Sequence, residues 1–128
     1  MSKQAIRTDK APTPVASYSQ AVRRGDLLFL AGQGGFDAST GRLAGDGIEE
    51  QTRQTLRNLQ YVLEAAGGSW DDVVTVRVFV TDHAEFAGMN AVYGEFFAEP
   101  YPARTTVFCG LAPGMKVEID AVAVLGRG

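Results

Sequence analysis

The chain has 128 residues, 45% of them hydrophobic, which suits one compact domain with one core. Lys and Arg number 12 against 15 Asp and Glu, and the formal charge of −3 lacks the cationic footprint of a general nucleic-acid or anionic-membrane binder. A single cysteine, Cys109, excludes an intrachain disulfide, and no run approaches the roughly 18 apolar residues of a membrane span.

The opening "MSKQAIRTDK" lacks the apolar centre of a signal peptide, so a cytoplasmic protein without a membrane partner is expected. With Pro12 and Pro14, residues 1–15 read as an irregular lead-in. A first strand is expected over 18–23, and "RRGD" then turns the chain into a second strand, "LLFLAGQGG". Residues 37–47, "DASTGRLAGDG", are glycine-rich with no apolar period and read as a loop. From Ile48 the period changes: Ile48, Thr52, Leu56, Leu59, Leu63 and Ala66 share one face of a helix that Gly67 and Gly68 stop.

Ser69 is placed to cap the short turn "SWDD", and "VVTVRVFVT" follows as a β-branched strand. In "TDHAEF", Asp82 and Glu85 have the spacing of a capping box, which makes His83 an exposed first-turn residue rather than a member of a catalytic triad. A second helix carries Phe86, Met89, Asn90, Tyr93, Phe96 and Phe97 along one side until Pro100 and Pro102 end it. "ARTTVFCG" is the next strand, "LAPGMK" a loop and "VEIDAVAVL" the last strand. The expected fold is α+β, a mixed sheet of about five strands with two helices on one face, in the order ββαβαββ.

Two helices cover only one face of such a sheet. Val74, Val76, Val78 and Val80 share one side of their strand, while Val73, Thr75, Arg77 and Phe79 leave the other half apolar. The last strand sets Val117, Ile119, Ala121 and Ala123 against Glu118, Asp120, Val122 and Val124. Both faces are partly apolar, so an oligomer is expected to cover the second; loops over that face are the alternative.

One histidine and one cysteine are too few for a His/Cys zinc site, although an all-carboxylate magnesium or calcium site stays open. Three polar residues stand out of pattern: Arg104 at the threshold of a strand, Glu118 between Val117 and Ile119, and Asn90 in the apolar stripe of the second helix. A structural account makes Arg104 and Glu118 a mutual ion pair at the sheet edge and gives Asn90 a loop hydrogen bond. A functional account lets Arg104 grip the carboxylate of a small acid while Glu118 positions or deprotonates a water. That equipment suits hydrolysis of an already electrophilic C=N bond better than peptide or phosphodiester cleavage.

"YSQAV" (18–22), "AGQ" (31–33), "QTRQTLRNLQYVLEAAG" (51–67), "DDVVTVRVFVTD" (71–82), "FAGMNAVYGEFF" (86–97) and "PARTTV…VEIDAVAV" (102–124) together resemble the RidA (YjgF) family. The resemblance implies a chorismate-mutase-like fold, a single domain over 1–128, and a homotrimer with ligand pockets between subunits. It also implies cofactor-free hydrolysis of reactive 2-imino or enamine acids, such as 2-iminobutanoate and 2-iminopropanoate, to 2-oxo acids and ammonia. Matched to the family's motifs, Arg104 binds the carboxylate and Glu118 lies by the catalytic water. Tyr18, Gly32, Asn90 and Thr106 line the pocket.

Departures border that pocket. Ala16 and Ser17 replace a usual Gly-Pro, Gly34 and Gly35 replace an apolar residue and proline, Ala31 replaces serine, and "GLAPGMK" is a residue short. They bear on the size of the substrate's side chain. A deaminase of another small nitrogenous acid and a non-catalytic metabolite-binding trimer are the alternatives. The ribonuclease label that some members carry is opposed by the net charge of −3 and the lack of a histidine pair.

Overall fold

The computed structural model describes residues 2–126. In chain order the elements are β1 (Gln4–Ile6), β2 (Ala21–Arg24), β3 (Leu27–Gln33), the short β4 (Phe36–Asp37) and β5 (Arg42–Leu43), α1 (Ile48–Ala65), β6 (Val73–Val80), α2 (Phe86–Phe96), β7 (Ala103–Phe108) and β8 (Val117–Val124). Six strands form one sheet in the order β1-β2-β3-β8-β6-β7. Only β6 and β7 in it run parallel, joined by α2 as the crossover. The expected order ββαβαββ is present as β2 β3 α1 β6 α2 β7 β8, with additions at two places.

The first addition is β1, which pairs with β2 inside the stretch expected to be irregular. Three residues are too few to show a period, and the pairing comes from backbone bonds that composition does not reveal. β2 starts at Ala21 rather than at Tyr18, because the Tyr18 N–H bonds the Ala16 carbonyl in a turn. The second addition is the ribbon β4–β5 in the expected loop, whose bend is fixed by Asp37 accepting from Ser39 and by Gly41 at φ 74°.

Both helices lie on one face. Leu56, Leu59, Val62 and Leu63 of α1 and Met89 and Tyr93 of α2 pack over Leu28, Leu30, Val76, Val78, Val80, Ile119 and Ala121. Each fully buried aliphatic among them contributes roughly 1.5–3 kcal/mol. Glu50 secures the start of α1 by accepting from the Gly47 N–H, and Gly67 at φ 84° ends it.

Val74 departs from the expected face. Val73 pairs with Ala123 and Thr75 with Val122, so Val74 is the extra residue of a bulge. The slip buries Val73 and leaves Val74 exposed.

The second sheet face is open. Leu27, Phe29, Val107 and Val124 on it are 40–49% exposed, so loops do not cover it. Arg77 and Asp120 pair across its middle at 2.7 Å. A concavity of about 290 Å3 lies beside them, bounded by Phe29, Thr75, Thr105 and Val122.

Candidate functional site

Strand register decides which side each candidate residue serves. Arg104 and Thr106 pair with Val76 and Val78, so both project toward the helices, along the free edge of the sheet that β7 forms. Glu118 pairs with Phe79 and projects to the open face. The two charged residues therefore stand on opposite faces of one chain. The mutual ion pair entertained from the sequence does not form.

Arg104 is instead held by α2. Its Nη1 donates to Asn90 Oδ1 at 2.8 Å, and its guanidinium lies 4.6 Å from the Tyr93 ring centroid and 5.8 Å from that of Phe86. Asn90 and Tyr93 are three residues apart, one helical turn, which brings both to the same guanidinium. No carboxylate pairs with Arg104 among the described residues. A cation with part of its donor fork uncommitted is equipped to receive an external carboxylate.

Glu118 sits against Gly32. A Cβ on Gly32 would lie 2.4 Å from Glu118 Oε2, so a side chain there would push the carboxylate out of its place against β3. Burial pushes the Glu118 pKa up, and the neighbouring Asp120 adds to the rise. Such a carboxylate is a better proton acceptor than an exposed one.

Tyr18 is half-exposed in the loop before β2, at the β1–β2 side of the sheet and far in strand order from β7. The chain thus brings Arg104, Asn90 and Thr106 together at one edge, and Gly32 and Glu118 on the open face. Tyr18 joins neither group. Among the described residues no three His, Cys, Asp or Glu side chains gather as a metal-holding group.

Two buried amides of α1, missed in the sequence, organise the surroundings. Gln51 donates to the carbonyls of Gly45 and Gly114 and accepts from the Lys116 N–H, tying down the loop that leads to Glu118. Asn58 donates to Gly34 and Phe36 and so fixes the turn after Gly32. Lys116 also pairs with Glu85, which leaves the Asp82 cap to act alone on the Ala84 N–H rather than in the expected capping box. His83 is exposed and stacks on Phe108 at 3.8 Å.

The sequence profile of the family described as Endoribonuclease L-PSP matches residues 8–125. The chain belongs to the RidA (YjgF) family. A RutC family protein of Pyrococcus horikoshii is 45% identical over 122 residues, 94% of this chain and 97% of that one. A protein of Dermatophagoides farinae named 2-iminobutanoate/2-iminopropanoate deaminase is 37% identical over 96% of this chain and 97% of its own. The crystal structure of RidA from the Antarctic bacterium Psychrobacter sp. PAMC 21119 superposes with a TM-score of 0.90 at 43% identity, covering 94% of this chain and 98% of that one. The α+β sheet with two helices on one face is thus the RidA/YjgF fold.

Proposed function

We propose that this RidA-family chain hydrolyses reactive 2-imino acids of the 2-iminobutanoate and 2-iminopropanoate type, in sites that form between copies of a homotrimer. The observation that carries the reading is the guanidinium of Arg104, held by Asn90 and Tyr93 with no carboxylate of the described residues on it. The name of the mite relative supports the reaction class.

In this reading Arg104 binds the substrate carboxylate, and Glu118 takes a proton from water as its oxygen bonds to the imine carbon. The proton held by Glu118 passes to the nitrogen, the tetrahedral adduct gives its hydroxyl proton to that nitrogen as the C–N bond breaks, and 2-oxo acid and ammonia leave. Arg104 and Glu118 serve opposite faces of their sheet, so one site takes Arg104, Asn90 and Thr106 from one copy. Its Glu118 and Gly32 come from the open face of the next. The half-exposed Leu27, Phe29 and Val124 on that face give the copies an apolar surface to share.

One observation favours a neighbouring substrate. A Cβ on Gly34 would lie 2.5 Å from Met115 Cε, so Met115 occupies room that a side chain after Gln33 would fill. That repacking beside Gly32 makes another small nitrogenous acid the second reading.

The test is a trapping competition. 2-Iminobutanoate is generated from threonine by a dehydratase, and its semicarbazide adduct is followed with wild type or Arg104→Ala. Wild type is expected to suppress the adduct and the variant to lose that effect by at least 100-fold, the scale of a lost charged anchor of roughly 3 kcal/mol. Equal adduct in all arms, over small and bulky imino acids, sinks the deaminase reading.

A further inference from the structure

The contacts around Arg104 point to Tyr93, a residue of the 86–97 stretch that the resemblance left without a role. Tyr93 is 7% exposed, and its buried hydroxyl lies within reach of the Arg104 guanidinium. Its ring is the nearer of two that the Arg104 guanidinium meets, 4.6 Å from the centroid, against 5.8 Å for Phe86.

The ring is itself immobilised. Phe97 stacks on Tyr93 at 4.4 Å, and Trp70 meets Phe97 edge-on at 4.7 Å. An aromatic column thus runs from Trp70 through Phe97 and Tyr93 to Arg104. It ends on the one cation at this edge that also bonds Asn90. The hydrogen bond to Asn90 and the ring of Tyr93 are two separate contacts that restrict how the guanidinium turns.

We infer that Tyr93 is a positioning residue for Arg104, its π face presetting the guanidinium to meet a ligand carboxylate. The inference rests on the proposed function only in taking Arg104 as the carboxylate anchor. Burial raises the Tyr93 pKa and the Arg104 charge offsets part of the rise, so the phenol stays neutral and the ring, not a phenolate, faces the cation. The ring acts through Arg104 and does not touch the reacting atoms.

The test replaces position 93 by Phe and by Phe bearing one and then three ring fluorines, which withdraw π density while nearly conserving volume. Two readouts follow: the rate at which phenylglyoxal modifies Arg104, by peptide mass spectrometry, and the Kd for 2-oxobutanoate. Tyr93→Phe is the reference for the series, and modification is expected to accelerate from it with each fluorination, by roughly 2- to 30-fold over the series. In parallel, Kd rises and KM for the imine rises with kcat held.

A flat series in Arg104 reactivity overturns the inference, as does a Tyr93→Phe variant already as reactive as the trifluoro one. Modification is read without substrate, so it decides the inference alone. Equal 2-oxobutanoate binding by wild type and Arg104→Ala would instead overturn the proposed function.

Discussion

Glu118 shows how one residue's chemistry depends on its neighbours. It stands between two buried apolar residues on a central strand, with Asp120 next along its face and Gly32 against its carboxylate. Both perturbations, burial and like charge, favour the protonated acid, so the pKa is raised. If the ionised form holds the water, activity falls as pH drops through that raised pKa. Asp120→Asn removes the repulsion and frees Arg77, and both changes favour the carboxylate. The acid limb of the kcat/KM profile should therefore move to lower pH in Asp120→Asn. A limb that moves to higher pH, or stays, contradicts the assignment of Glu118 as the titrating base.

At this scale the sequence was partly legible. Arg104, Asn90 and Glu118 were visible as polar interruptions of apolar patterns. Their partners were not, because alternation along a strand says which residues share a face but not which face meets the helices. Tyr93 read as one more apolar position of α2, and nothing in spacing announces a cation over its ring.

Among the elements, α1 does more than supply a core face. Its buried residues include a polar row, Gln51, Thr55 and Asn58, next to the aliphatic row of Leu56, Leu59 and Leu63. Spacing alone gives both rows the look of helix, and an amide row reads as a solvated side. Its burial follows from the loops that fold over it with unpaired carbonyls, a tertiary fact. Gln51→Leu removes bonds to Gly45, Gly114 and Lys116 and should cost roughly 2–3 kcal/mol, since groups left partly buried lose solvation. Hydrogen exchange should rise selectively at Lys116, whose N–H loses its acceptor. Unchanged exchange there, with stability within 0.5 kcal/mol of wild type (about the spread of neutral surface changes), would remove Gln51 from its tethering role.

The strands carry a similar lesson. β6 and β8 were readable from β-branched runs, yet the bulge at Val74 reversed that residue's face, and β1 was too short for any periodic signal. Element type followed from composition; register followed from pairing.

Over the whole molecule, two features bear on the proposed assembly. The open sheet face exposes Leu27, Phe29, Val107 and Val124, and the two charged candidates stand on opposite sides of the sheet. One arrangement answers both, in which the edge of one copy that bears Arg104 meets the open face of another that bears Glu118. The expectation of a second, partly apolar face came from the sequence. The placement of Arg104 and Glu118 on opposite faces came only from the strand register, and β7's place at the edge from the sheet order.

A site divided between copies is tested most directly by subunit complementation. Arg104→Ala and Glu118→Gln, each inactive as a pure protein, are unfolded together, refolded as a mixture and assayed for imine hydrolysis. The account predicts that the mixture regains a measurable fraction of wild-type activity, because some interfaces pair an intact Arg104 with an intact Glu118. Mixed assemblies demonstrated by mass spectrometry, yet no more active than the pure variants, would contradict a site shared between copies.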